Sequence, residues 1–273
     1  MSVASVPSLD LAHVVDRLRA AGCVFAEDEA ALIASTARDQ AEAAVMADRR
    51  IAGLPLEHVL GWASFRGLRI AVDPGVFIPR RRTEFLVEEA LRVTAPGAIV
   101  LDLGCGSGAL GAAIAAERPV VLHAADIELA AVRCARRNLV PLGGSVYPGD
   151  LFSALPRELR GRVDILLANV PYVPTNEIRL LPPEARLYEP HVTLDGGPDG
   201  LATLRRVAAS APDWLVPGGH LFVEMSEHQA PIARSVLEQA GLTARIAVDD
   251  DLGANVVIGT NPLGPGSGDG VRT

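Results

Sequence analysis

The chain has 273 residues, of which 49% are hydrophobic, and its formal net charge is −8 at pH 7. This length is sufficient for one large domain, or for a medium domain with a smaller companion, and it allows a sizeable core. An acidic chain has no overall positive field to attract a nucleic-acid backbone, which favours a protein or small-molecule substrate. No apolar run reaches the length of a membrane span and the N-terminus lacks a secretory pattern, so we expect a soluble, cytoplasmic protein without membrane contacts.

The first sixty residues predict a small helical domain. Apolar positions recur there at helical spacing, which indicates two or three short helices, and Asp28 is placed to cap the second. Residues 62–72 alternate apolar and polar side chains around Arg66-Gly67, a pattern typical of a β-hairpin. We therefore predict a helical substrate-recognition domain over residues 1–60 and a hairpin linker over residues 61–75.

Residues 76–262 alternate strand-like runs with helical ones, which is typical of an α/β fold. The runs are AIVLDL from 98, VVLHAAD from 120, SVYP from 145, VDILLAN from 163, HLFVEM from 220, ARIAV from 244 and NVVIG from 255. Short apolar strands separated by helices predict a mostly parallel seven-stranded, Rossmann-like sheet covered on both faces. Residues 263–273 are rich in Gly, Pro and Ser and predict a disordered tail.

A glycine-rich turn follows the first of these strands and precedes a helix. It contains Gly104, Cys105, Gly106 and Gly108, and it lets the backbone turn sharply and present free amides to a ligand. Such a turn binds a nicotinamide dinucleotide or S-adenosylmethionine. Asp102 completes the frame DLGCGSG, which is typical of methyltransferases and favours the second ligand.

Two further carboxylates follow the next two strands. Asp126, followed by Ile127, ends the second strand, where a carboxylate can accept both ribose hydroxyls of the cofactor. Asp150, followed by Leu151, comes after the third strand, where a carboxylate can receive the adenine amino group. A helix cap is the alternative role for each aspartate. We include all four residues in the predicted cofactor site. The three cysteines are widely spaced without a CxxC pair, which predicts free thiols and no metal site.

The segment Asn169-Val170-Pro171-Tyr172 follows the fourth strand, at the sheet edge where open α/β sheets bind ligands. Amide and exocyclic amino nitrogens are poor nucleophiles because their lone pair is delocalised. The Asn169 side-chain oxygen and the Val170 carbonyl can accept the two N–H hydrogens and align the nitrogen with a methyl donor. Tyr172 would pack flat against the substrate plane. The alternative is a rigid turn whose Asn bonds the backbone and whose Tyr packs in the core.

Together, these motifs resemble the protein-glutamine N5-methyltransferases that modify peptide chain release factors, the HemK or PrmC family. The resemblance covers nearly the whole chain and includes PLEHVLG at 55–61, Phe65, VFIPR at 76–80 with Thr83-Glu84, YEP at 188–190, LDGG at 194–197 and DGL at 199–201.

The resemblance implies S-adenosylmethionine as the methyl donor, bound by the glycine loop and Asp126. It implies that Asn169 and Tyr172 hold the glutamine amide, and that the N-terminal helices help to grip the release factor. It also implies that the segment from 77 to 80 lines the substrate pocket; its residues are Phe77, Ile78, Pro79 and Arg80.

Two positions depart from the family pattern. Val170 stands where the family has a proline, and Arg80-Arg81-Arg82 stands where the family usually has an acidic residue after IPRP. The arginines could meet an acidic substrate face or a phosphate, or form a solvated charge run. Other readings therefore stay open: a methyltransferase of another protein, one that acts on a flipped adenine, or a binding module without catalysis.

Overall fold

The N-terminal part of the protein is helical in a computed structural model, which describes residues 11–263. Its helices are α1 (Leu11–Ala20), α2 (Ala26–Thr36), α3 (Gln40–Ile51) and α4 (Leu56–Leu60). They share their own apolar cluster, in which Leu18 and Ile33 are fully buried. Burial of one such side chain contributes about 1.5–3 kcal/mol.

The predicted cap of the second helix is wrong. Helix α2 begins at Ala26, whose burial sets the start of the helix, so Asp28 lies inside the first turn. Helix α3 instead has a side-chain cap, because Asp39 accepts a hydrogen bond from the backbone N–H of Glu42 at 2.8 Å.

A β-hairpin follows, as the alternating pattern predicts. Strands β1 (Trp62–Phe65) and β2 (Leu68–Ala71) pair antiparallel around Arg66-Gly67. Both turn residues have positive φ, 46° and 74°, which suits the twist of a two-residue hairpin. The backbone N–H of Arg66 donates to the Glu84 carboxylate at 2.9 Å, so the turn is fastened to the helix that follows.

A seven-stranded sheet forms the larger part of the protein, with the order β5-β4-β3-β6-β7-β9-β8. Its strands are β3 (Ile99–Leu103), β4 (Val121–Asp126), β5 (Ser145–Pro148), β6 (Val163–Leu167), β7 (Leu215–Met225), β8 (Thr243–Asp249) and β9 (Ala254–Thr260). The first five are parallel neighbours, whereas β9 pairs antiparallel with both β7 and β8. Only residues 250–253 join β8 to β9, too few for the crossover that parallel strands need.

Helices cover both faces of this sheet. They are α5 (Glu84–Leu91), α6 (Ala109–Glu117), α7 (Leu129–Leu139), α9 (Ala202–Trp214) and α10 (Ala230–Gln239). A short helix, α8 (Pro183–Tyr188), has no buried residue. Residues of α5, α6 and α7 join one apolar cluster, and residues of α9 and α10 join the other. The predicted α/β architecture is therefore confirmed. No helix within residues 11–263 is long and apolar enough to cross a membrane.

The predicted tail over residues 263–273 lies outside the described residues, apart from its first position, and so do residues 1–10.

Candidate active site

A cavity of about 510 Å³ lies where β3, β4 and β6 end, and this volume is typical of sites that enclose a small ligand. Most of the residues predicted from the sequence line it. From the predicted cofactor site these are Gly104, Cys105, Gly106, Asp126, Ile127, Asp150 and Leu151. From the predicted acceptor site they are Asn169, Val170, Pro171, Tyr172, Phe77, Pro79 and Arg80. The fold thus brings both sets together in one space.

Three predicted residues lie beneath the cavity instead of lining it. Asp102 is buried and accepts a hydrogen bond from the backbone N–H of Gly111 at 3.1 Å. Gly108 has φ +79°, and a Cβ there would lie 2.9 Å from the side chain of Leu139. Ile78 is buried in the apolar core. Packing and internal hydrogen bonds surround these residues, so they do not reach the cavity surface.

Asp126 connects the glycine loop to the start of α7. One carboxylate oxygen accepts from the backbone N–H of Gly106 and the other from that of Glu128, both at 2.8 Å. Burial raises the pKa of Asp126 above its usual range, and the two N–H donors oppose that shift. The carboxylate therefore holds the loop in place and also faces the cavity.

The buried carboxyl of Asp102 has a further consequence for stability. Burial raises the pKa of Asp102 to about 7. Between about pH 4, where the unfolded group ionises, and about pH 7, the folded state keeps a proton that the unfolded chain has lost. The free energy of unfolding should therefore fall as the pH rises through this window.

We expect Asp102→Asn to flatten that decline, because the amide is neutral at every pH and keeps an acceptor for Gly111. As the pH rises from about 4 to about 7, the free energy of unfolding of the variant should increase relative to that of the wild type by up to about 4 kcal/mol. Urea unfolding at a series of pH values measures it. A difference that does not change with pH would contradict the prediction.

Two of the three cysteine thiols are buried. Cys105 and Cys134 are buried, and burial raises the pKa of both, so they stay neutral. Within residues 11–263 no group of three or more His, Cys, Asp or Glu side chains is placed to hold a metal ion.

Tyr172 is held by hydrogen bonds at its hydroxyl and at its backbone carbonyl. Its hydroxyl donates to Oε1 of Glu224 and accepts from the Arg82 guanidinium, each at 2.8 Å, and its carbonyl accepts from Nε2 of Gln229 at 2.8 Å. Burial, assisted by the Glu224 carboxylate, raises the pKa of the phenol, so the hydroxyl remains neutral. Part of the ring packs against the core while the side chain still lines the cavity.

Two residues of the arginine run, Arg80 and Arg82, pair with buried carboxylates, although the Arg82 side chain is itself 47% exposed. Arg80 donates to both carboxylate oxygens of Glu189 at 2.6 Å, and the Glu189 side chain is fully buried. The Arg80 guanidinium also lies 4.8 Å from the centre of the Phe77 ring. Because Arg82 is bonded to Glu224 as well, neither a free cationic cluster nor a solvated charge run describes these two arginines.

Sequence reasoning missed the residues that hold the Tyr172 loop through hydrogen bonds. Glu224 is buried in the last part of β7 and Gln229 shortly after the strand, and only their position at the end of an apolar strand could have pointed to them. Gly200 belongs to the DGL motif, but no role for it could be read from that motif. A Cβ on Gly200 would lie 2.2 Å from the Tyr172 carbonyl and 2.3 Å from Nε2 of Gln229.

We therefore expect Gly200→Ala to destabilise the protein by about 3 kcal/mol, since overpacking adds to left-handed strain. The matched control is Gly161→Ala. Gly161 has φ +71°, close to the +77° of Gly200, but a Cβ there meets nothing within 4 Å. The control should lose only about 1 kcal/mol in urea unfolding. Equal losses in the two variants would show that the contact with Tyr172 is unimportant.

Comparison with known proteins identifies the family. Residues 67–180 match the family model of the methyltransferase small domain. The release factor glutamine methyltransferase of Geobacter sulfurreducens is 39% identical over 217 residues, which cover 77% of this chain and 74% of the relative. The chain belongs to the release factor glutamine methyltransferase family. It is therefore a methyltransferase, as DLGCGSG indicated, and the dinucleotide alternative for the glycine loop is wrong.

A second relative agrees with this assignment, and two solved structures resemble the fold. The release factor glutamine methyltransferase of Bradyrhizobium diazoefficiens is 36% identical over 232 residues, covering 81% of this chain and 78% of the relative. A methyltransferase from Pyrococcus furiosus shares the fold, with a TM-score of 0.54 at 16% identity over 72% of this chain and 91% of that one. The E. cuniculi Mtq2–Trm112 complex, responsible for methylation of the eRF1 translation termination factor, matches with a TM-score of 0.50 at 25% identity over 69% of this chain and 99% of that one.

Proposed function

We propose that this enzyme transfers a methyl group from S-adenosylmethionine to the side-chain amide nitrogen of a glutamine in a peptide chain release factor, in the Gly-Gly-Gln loop. The observation that carries the proposal is that the loop of Asn169 and Tyr172 shares one cavity with the glycine loop and Asp126. The family membership adds to it, since the relatives are named for this reaction.

The residues at the glycine-loop end fit the methyl donor. Gly104 and Gly106 have φ +66° and +55°, a backbone conformation that favours glycine, and the nearest atoms to a Cβ there would be 3.8 Å away on Val170 and 3.9 Å away on Phe77, so the backbone can lie close to a ligand. Asp126 would accept from the ribose hydroxyls, and Asp150, held by Arg206 at 2.5 Å, from the adenine amino group. When bound, the donor supplies an electrophilic methyl group on a sulfonium.

At the other end, the chain's own groups position the acceptor. The Asn169 oxygen and the Val170 carbonyl would accept the two hydrogens of the glutamine amide, which turns its nitrogen towards the methyl carbon. Held in this way, the nitrogen would face the methyl carbon that the donor would supply as its sulfur–carbon bond breaks, and one amide proton would then pass to water. Tyr172 would support the amide plane. Positioning provides most of the rate, so no strong base is required.

The N-terminal helices are suited to hold the protein substrate next to this cavity. Arg50 on α3 pairs with Glu184 on α8 at 2.5 Å, and Glu184 lines the cavity. Large apolar side chains are exposed on the helices and their connection, notably Val24, Phe25 and Val45. We therefore keep residues 1–60 as the recognition domain, with 61–75 as the linker to the methyltransferase domain over 76–262.

The test combines purified enzyme, S-adenosylmethionine and a bacterial release factor, followed by peptide mass spectrometry. We expect a gain of one methyl group on the glutamine of the Gly-Gly-Gln loop. A release factor in which that glutamine is replaced by alanine is the control and should gain none. An unmodified glutamine under conditions where the donor binds would contradict the proposed substrate.

A further inference from the structure

Arg82 and Tyr172 stand between two cavities. Both residues line the cavity described above, and both also line a second cavity of about 510 Å³. The second cavity lies at the carboxyl ends of β7 and β8 and is bounded by Glu227, Asp249 and Asp250. The two side chains therefore form a wall that separates the acceptor site from a polar, acidic space.

Three side chains from three separate elements hold this wall together. Arg82, before α5, donates through Nε to Oε1 of Glu224 at 3.0 Å and through a terminal nitrogen to the Tyr172 hydroxyl at 2.8 Å. The Tyr172 hydroxyl donates to the same Glu224 oxygen at 2.8 Å. Each of the three side chains thus contacts the other two, which restricts the tyrosine ring to one orientation.

Glu224 is buried and paired with Arg82. The Glu224 side chain is 3% exposed, and its second oxygen, Oε2, is buried without a hydrogen-bond partner in the described part of the chain. A buried carboxylate without a nearby cation is costly. Arg82 is the cation that pairs with it here, so the guanidinium holds Glu224 and, through it, the tyrosine.

We propose that Arg82 is a positioning residue for methyl transfer: together with Glu224 it keeps the Tyr172 ring in the wall between the two cavities. This inference rests on the proposed function of the site. Without Arg82 the ring can turn towards the second cavity, and the acceptor amide then loses the surface that supports its plane. The competing role for Arg82 is direct contact with an acidic face of the substrate.

Steady-state kinetics separate these two roles. Arg82→Ala should lower kcat about tenfold and leave the KM for S-adenosylmethionine unchanged, because other residues build the donor end. Arg81→Ala removes the same charge from an exposed position outside both cavities and should keep the wild-type kcat. In a Tyr172→Phe background, which lacks the hydroxyl, Arg82→Ala should lower kcat no further. A full tenfold loss in that background would overturn the proposal in favour of substrate contact.

A second measurement does not depend on activity. The chain has three tyrosines, so 19F NMR of 3-fluorotyrosine-labelled protein should show one resonance that disappears in Tyr172→Phe. Arg82→Ala should shift that resonance, and Arg81→Ala should not. An unshifted resonance would overturn the positioning role even if the glutamine is methylated, and a shifted one would support it even if another acceptor is found.

Because Arg82→Ala also leaves Glu224 without its cation, Arg82→Lys is measured in both backgrounds. Lysine keeps the charge but lacks the planar fork that reaches two partners. It should restore part of kcat when the Tyr172 hydroxyl is present and have no effect in Tyr172→Phe. These results decide the question if the alanine variant does not fold. Equal kcat values for the lysine variant and the wild type, when the Tyr172 hydroxyl is present, would argue against a positioning role of Arg82.

Discussion

Asn169→Ala should reduce kcat for methyl transfer by a factor on the order of 10²–10³, with little change in the Kd for S-adenosylmethionine. The Asn169 side chain lines the cavity directly after β6, where its oxygen can accept one hydrogen of the acceptor amide. Alanine leaves that hydrogen without a partner and lets the nitrogen rotate out of line. The Val170 carbonyl remains, so the loss is large but incomplete.

Methyl incorporation measured by mass spectrometry gives the rate, and calorimetry gives the affinity for the donor. Asn169→Asp is the matched control, since it keeps the size and an acceptor oxygen and should retain more activity than alanine. If Asn169→Ala kept more than about a tenth of the wild-type kcat, the loop would not hold the acceptor in the way we propose.

Asp126→Ala should act at the opposite end of the cavity and weaken binding of S-adenosylmethionine on the order of 10²-fold. Hydrogen bonds to a charged group contribute about 1.5–3 kcal/mol, and the ribose would lose its carboxylate acceptor. The same carboxylate holds the N–H groups of Gly106 and Glu128, so the glycine loop should loosen as well. Calorimetric titration with the donor measures the effect.

Asp150→Ala is the matched control, because it removes the other carboxylate that we predict to bind the donor. Asp150 is about half exposed and already paired with Arg206, so its removal should weaken donor binding less than the removal of Asp126. Urea unfolding of both variants separates lost contacts from a collapsed loop. A larger effect at Asp150 than at Asp126 would reverse the assignment of the two carboxylates.

Much of the fold was predictable because the signals for it are local. Strands covered on both faces read as short apolar runs, and all seven were located from those runs. The hairpin was marked by Arg66-Gly67, and the donor loop by glycines that adopt positive φ at Gly104 and Gly106. Because the carboxyl ends of parallel strands meet at one edge, the sequence also determined that Asn169 and Asp126 would share a site.

Other features depended on contacts between distant parts of the chain. The pairing of β9 between β7 and β8 decided which strands run antiparallel. Packing placed Ile78 and Asp102 under the cavity instead of in its wall, although both belong to the predicted motifs.

The arginine run shows most clearly what only the tertiary structure decided. By itself Arg80-Arg81-Arg82 is a block of charge, and nothing in its neighbours distinguishes a surface patch from an internal ion pair. The fold brings Arg80 to Glu189 and Arg82 to Glu224, partners 109 and 142 positions away. Backbone preferences and periodicity act over a few residues, so the sequence determined the sheet, the glycine loop and the position of the loop with Asn169 and Tyr172 after β6. A side-chain pair between distant positions exists only once packing has closed the intervening chain.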